Sequence, residues 1–201
     1  MGCIEELMQE KESHINSIME SLRRNPYYTK HLKYAGRDVL MFLDLTNILC
    51  HASEYRLWID LEDLVYIFST LYNLRSFYAF TSSNLSGGMV NFLYETGYVV
   101  YQSPFDSDAI MGFVISDLTR DIDVDLVIIG THDGGFRGIS DQLVRKGIDV
   151  AFLGFREMFS SYLKSSLLFC LEDLNILSHL REKGAVGEFL DDAEIPVRDN
   201  S

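Results

Sequence analysis

The sequence predicts an α/β protein with three layers: a parallel sheet of five or six strands, helices on both faces, and a helical extension in front. Three observations carry that reading. From residue 38 onward, short apolar runs alternate with stretches of helical period. Two of those runs, one stopping at Asp44 and one leading into Thr131-His132-Asp133, end at a carboxylate and are followed by helix-like patterns. Gly97 and Gly147 stand where a helix stop is wanted before the next apolar run.

Residues 4–22 place Ile4, Leu7, Met8, Ile15, Ile18, Met19 and Leu22 at helical spacing between charges. This amphipathic helix either docks on the domain or pairs with a partner, a second copy included; docking is the simpler reading. Asn25-Pro26 ends it. Residues 26–37 form a basic connector with Tyr27, Tyr28 and Tyr34, and no acidic residue falls between Arg23 and Arg37. Tyrosines among cations can stack bases and bind phosphates, or simply pack the connector onto the domain.

The alternation then runs in order. A strand over 38–44 is followed by a helix over 60–73 with Leu61, Leu64, Val65, Phe68 and Leu71 on its apolar face. A strand over 77–80 leads to a helix opened by Ser86-Gly87-Gly88 and stopped at Gly97, then to a strand over 98–101. Ser107 or Asp108 caps a helix over 108–120. A strand over 125–130, a helix over 135–146 and a strand over 148–153 complete the series, with 167–171 as a sixth strand. Such alternation implies right-handed crossovers and a sheet covered on both faces. The expected divisions are 1–37 for the extension, 38–175 for the domain, and 176–201 for a short helix and acidic tail.

Composition narrows the function. With 17 Lys and Arg against 30 Asp and Glu, the net charge is −13, which argues against passive nucleic-acid binding through neutralised phosphates. A nuclease remains compatible, because divalent cations fill clustered carboxylates. Cys3, Cys50 and Cys170 are odd in number and widely spaced, which suits a reducing compartment, the cytoplasm or the nucleus, and argues against zinc. No signal peptide is expected in the first stretch, which is studded with Glu5, Glu6, Glu10, Lys11 and Glu12, and no apolar run approaches the roughly 20 residues of a membrane span. Met1-Gly2-Cys3 faintly resembles an acylation signal, but Glu6 stands where Ser or Thr is wanted. Gly-x-Gly-x-x-Gly and Gly-x-Ser-x-Gly are absent, and Thr46 occupies the second Asp position of a haloacid-type phosphatase.

Ligands of open α/β sheets bind at the carboxyl ends of the strands, where Asp44 and Asp133 fall. Asp44 follows Met41-Phe42-Leu43 and precedes Leu45; an unpaired carboxylate is costly to bury there. Taken together, Asp44 and Asn47 in Asp-x-x-Asn, Asp108 at a helix start, and Thr131-His132-Asp133-Gly134-Gly135-Phe136 after an apolar strand resemble the NYN domains, a branch of the PIN-like nucleases. The resemblance covers residues 38–175. It implies a sheet ordered 3-2-1-4-5, with the strand ending at Asp44 beside the one preceding Asp133. It further implies metal-dependent hydrolysis of RNA phosphodiesters. Asp44, Asp108 and Asp133 would bind Mg²⁺ or Mn²⁺, Asn47 would orient a ligand, and Thr131 and Arg137 would contact substrate phosphate.

The pattern is not complete. Gly135 stands where the family has its second Asp, and Phe105 where many members have Lys. Hard-cation affinity follows the number of charged ligands, so a domain that has lost catalysis and serves as an RNA-binding or protein-interaction module is the alternative expectation. Asp106 and Asp117 are the carboxylates available to compensate. Each motif residue also has a plainer role. Asp133 and Asp108 are possible helix caps, Asn47 a turn residue, His132 a loop histidine bonded to backbone, and Arg137 a solvated helix residue. Gly134-Gly135 supplies either a permissive backbone or N–H groups facing a phosphate.

Overall fold

The computed structural model describes residues 33–82, 84–104, 106–163, 167–174 and 176–179, together with scattered positions between 9 and 24. The central strand β1 (Asp38–Asp44) is buried from Val39 to Asp44. Its continuous apolar run, without alternation, is what a strand covered on both faces requires. Chain order then gives α1 (Leu45–Glu54), β2 (Leu57–Ile59), α2 (Leu61–Leu71), β3 (Asn73–Thr81), α3 (Gly87–Glu95), β4 (Tyr98–Gln102) and α4 (Ser107–Asp121). It continues with β5 (Leu126–Gly130), a 3₁₀ turn (Gly134–Phe136), α5 (Arg137–Arg145), β6 (Asp149–Gly154), β7 (Leu167–Cys170) and β8 (Leu177–His179).

Six strands form one sheet in the order β4-β3-β1-β5-β6-β7, and every neighbouring pair is parallel. The expected order of five strands is the observed one, and the sixth strand joins beside β6. The order reverses between β1 and β5, so the crevice of the fold opens beyond Asp44 and Gly130. One face carries Met41, Leu43 and Ala79 under Ile48 of α1, Phe68 of α2 and Leu93 of α3. The other carries Leu40, Phe42, Tyr78 and Phe80 under Met111 and Ile115 of α4 and Leu143 of α5. Gly97 (φ +92°) and Gly147 (φ +84°) hold the left-handed positions after α3 and α5 that favour a residue without Cβ.

Several boundaries differ from expectation. The region between β1 and α2 folds as α1 and β2. Leu45, Ile48 and Ala52 are the buried residues of α1, a sparse stripe for a ten-residue helix. β2 pairs antiparallel with β8, so 177–179 is a strand where a short helix was expected: three extended residues complete the partner's ladder. β3 starts at Asn73, because Asn73 N–H donates to the Arg37 carbonyl (2.9 Å) and the chain pairs at once with β1. α4 is capped by Asp106, not by Ser107 or Asp108, since the Asp106 carboxylate accepts from Asp108 N–H (3.0 Å) and Ala109 N–H (3.4 Å).

The described positions of the N-terminal segment are helical, and Met19 packs half-buried against the core beneath the first face. Ile4, Leu7, Met8, Ile15, Ile18 and Leu22 lie outside the described residues, as do Tyr27, Tyr28, Lys30, Phe105 and residues 180–201. In the connector Tyr34 is buried and donates to Asp149 (2.6 Å), to which Lys33 also bonds (3.1 Å). Arg37 pairs with Asp125 (3.6 Å) and Arg75 with Asp38 (3.9 Å). The described part of the connector therefore packs onto the amino ends of the strands, opposite the crevice.

Candidate active site

The site begins where β1 stops. Asp44 turns the strand into α1: its carboxylate accepts the Asn47 N–H at 3.0 Å, satisfying one of the unpaired donors of the helix start. It is only 3% exposed. Burial disfavours its charged form most; the Asn47 N–H favours that form, and the adjacent Asp108 and Asp133 oppose it. The balance pushes the carboxyl up to about 7.

Asp108, in the first turn of α4, is a neighbouring carboxyl that helps to raise Asp44. Because Asp106 supplies the cap, Asp108 does not have to. Asp133 arrives from the turn after β5, exposed, with one carboxylate oxygen accepting the Gly135 N–H at 2.8 Å. Its own N–H donates to the Thr131 hydroxyl (3.2 Å). Asp133 is therefore a cap of the following 3₁₀ turn and a charge felt at Asp44. Asp108 and Asp133 thus both act on Asp44 at the switch point.

The link between the two strand ends is a histidine. Asn47 Oδ1 accepts the His132 backbone N–H (3.1 Å) and faces Nδ1 of the same residue at 2.7 Å. On the far side, Nε2 accepts the Phe155 N–H at 2.8 Å. A ring nitrogen that accepts from a backbone amide carries no proton, so Nδ1 holds it and donates to Asn47. The backbone donor also fixes which amide atom of Asn47 is oxygen, turning its NH₂ away from His132. The imidazole is 4% exposed, and burial, with nearby His51, lowers its pKa to about 4. His132 is thus a neutral brace rather than a metal ligand, and its backbone-bonded reading holds.

The other predicted residues occupy supporting places. Thr131 is fully buried, its hydroxyl turned to the Asp133 amide. Arg137 is half-exposed and donates to Asp141 (2.9 Å) and to the Tyr162 carbonyl (3.0 Å). Asp106 is spent as a cap, and Asp117 pairs with Arg120 further along α4. The Gly135 N–H serves Asp133 rather than facing a phosphate. A Cβ at Gly135 would meet only Asp133 oxygen and carbon atoms at 3.4–3.6 Å, ordinary contact.

Three carboxylates form an all-oxygen donor set, the chemistry of a hard divalent cation. Asp44, buried among like charges, is the group whose charge such a cation would offset. Among the described residues no three His, Cys, Asp or Glu side chains stand close enough to hold an ion together. The donor set thus fits a hard cation by its chemistry, with Asp108 and Asp133 as the charged neighbours of Asp44.

This fold, switch point and order of acidic residues coincide with a known family: residues 38–168 match the NYN domain. The chain belongs to that family. NYN domains are a branch of the PIN-like nuclease superfamily. A Vibrio parahaemolyticus protein of unknown function shares the fold at a TM-score of 0.59, with 18% identity over 68% of this chain and 93% of that one. No curated protein matches the sequence. In this NYN domain no described helix is long and apolar enough to cross a membrane, and Cys50 and Cys170 are free thiols.

Proposed function

We propose that this NYN domain is a metal-dependent ribonuclease that hydrolyses RNA phosphodiesters at the carboxyl end of its sheet. The observation that carries the reading is Asp44: a 3% exposed carboxyl, raised to about 7, with Asp108 and Asp133 as its charged neighbours. Capping α1 uses one oxygen of Asp44; a carboxyl so perturbed by its neighbours at the end of a central strand marks a functional site. Asp44, Asp108 and Asp133 are the residues to hold Mg²⁺ or Mn²⁺. When bound, the cation supplies Lewis acidity toward the phosphodiester and acidifies water for attack.

The chain's own groups divide the remaining work. Asn47, its oxygen fixed by His132, offers its NH₂ to a phosphate oxygen or a ligand. Arg137, braced by Asp141 and Tyr162, is the cation placed to meet substrate phosphate. Thr131 acts from inside, holding the turn that carries Asp133.

Gly135 favours a second reading, a module that binds RNA or a partner protein without cleaving. One calorimetric titration separates the two. Mn²⁺ should bind the wild type at micromolar to sub-millimolar affinity and should not bind Asp44→Asn, and the wild type should cleave RNA in that metal. Absence of binding in both proteins would leave the non-catalytic module.

A further inference from the structure

The strand register places more than carboxylates at the crevice. Asp44 of β1 pairs with Phe80 of β3, and Phe80 pairs with Tyr101 of β4. In a parallel sheet, paired residues point to the same face, so Asp44, Phe80 and Tyr101 form one row along the carboxyl end on the α4 side. The row beneath is Phe42, Tyr78 and Val99. Tyr101 lies flat on the fully buried Phe80, with centroids 4.9 Å apart and planes 6° off parallel. Phe42 and Tyr78 stack similarly at 5.0 Å and 9°.

β4 ends the sheet. One face of the Tyr101 ring is covered by Phe80, and no strand follows on the other side. Tyr101 as a residue remains 36% exposed, and the described rings against it are Phe80 and, tilted at 6.4 Å, Tyr78. Two strand spacings, about 10 Å, separate this residue from Asp44 along the row. A flat, supported aromatic face at the level of a phosphodiester-directed site is a surface on which a nucleobase stacks. The described connector aromatic, Tyr34, is by contrast buried at the far end of the strands.

We infer that the outer face of Tyr101 is a nucleobase platform that receives single-stranded RNA on its way to the carboxylate site. The inference rests on the ribonuclease reading for its substrate, but not for its geometry. Stacking is indifferent to base identity, because every base has a π-face, so the platform gives strand preference without sequence preference. A base held in a duplex cannot use it. The Phe80 support also keeps the tyrosine ring ordered before RNA arrives, which lowers the entropy lost on binding.

The test uses the full chain in Mn²⁺ and a fluorescein-labelled decauridylate with 2′-O-methyl riboses, verified intact on a gel after each titration and read by fluorescence anisotropy. Tyr101→Leu keeps Phe80 covered and removes the π-face; it should weaken binding by at least about fivefold, while Tyr101→Phe should stay within about twofold of wild type. Cleavage of unmodified decauridylate by the wild type is followed in parallel. Equal binding by wild type and Tyr101→Leu would overturn the platform and leave the nuclease reading to the cleavage result. A loss in Tyr101→Leu without any wild-type cleavage would uphold the platform and overturn the nuclease. Failure of the wild type to bind the oligomer would overturn the platform as well.

Discussion

A Cβ on Gly154 would stand 2.6 Å from Nε2 of His132 and 3.2 Å from Phe159. The bare backbone at the end of β6 is therefore what admits the imidazole that grips Asn47. The space the His132 ring needs comes from a glycine on the neighbouring strand. Gly154→Ala should destabilise the protein by about 1–3 kcal/mol through overpacking, read as a lower urea midpoint. Combined with His132→Ala the two losses should fall short of their sum, because the residues share one contact.

Asn47→Ala should cost about 2 kcal/mol, since it strips the acceptor from two His132 donors that are out of reach of water. Hydrogen exchange at the His132 amide should accelerate beyond what the global loss explains. Exchange matching the global change alone would mean that the bond contributes nothing local.

Two buried groups give opposite pH dependences. Asp44 is raised from 3.8 to about 7 in the folded state, so its contribution to stability is full below pH 4 and is lost as pH rises through 7. His132 is lowered from 6.5 to about 4, so its contribution is present above 6.5 and is lost as pH falls through 4. Between pH 4 and 6.5 their contributions oppose one another in the metal-free protein. Asp44→Asn should therefore expose the histidine slope, with stability falling on acidification by at most about 1.4 kcal/mol per pH unit. His132→Gln should expose the opposite slope. Urea unfolding across that interval in EDTA distinguishes the two.

Gly135→Asp should fold as the wild type does, because its Cβ meets only ordinary contacts. A fourth carboxylate should tighten Mn²⁺ binding, as affinity in such sites follows ligand charge. Calorimetry reads this directly. Unchanged affinity would place residue 135 outside the cation site.

Much of this fold is legible in the sequence because parallel strands buried on both faces announce themselves. The segment 39–43 can be little else, and Asp44 at its end needs a reason. What escapes is local and depends on tertiary structure. α1 buries only Leu45, Ile48 and Ala52, too sparse a stripe to mark its start, which is fixed once Asp44 is seen capping it. β2 and β8 are three residues each and exist because they pair with one another. Asp106 and Asp108 are indistinguishable as caps until the helix start is fixed. The Asn47–His132 bond spans 85 residues, and nothing in the order of residues announces it. Tyr101 read only as part of an apolar run; its value comes from the register with Asp44 two strands away.

The ion pairs at the amino ends of the strands have a wider consequence. There Asp38, Asp125 and Asp149 each face a cation, from Arg75, Arg37 and Lys33. At the other end Asp44 is surrounded by further carboxylates. The sheet is thus an electrical gradient laid along its strands, neutral at one rim and negative at the other. A small multivalent cation approaching in dilute salt is drawn toward the crevice and away from the opposite rim. An RNA arriving before that cation meets a repulsive rim. On the proposed ribonuclease reading, the field would set the loading order, cation first and polyanion second, with added monovalent salt weakening the distinction.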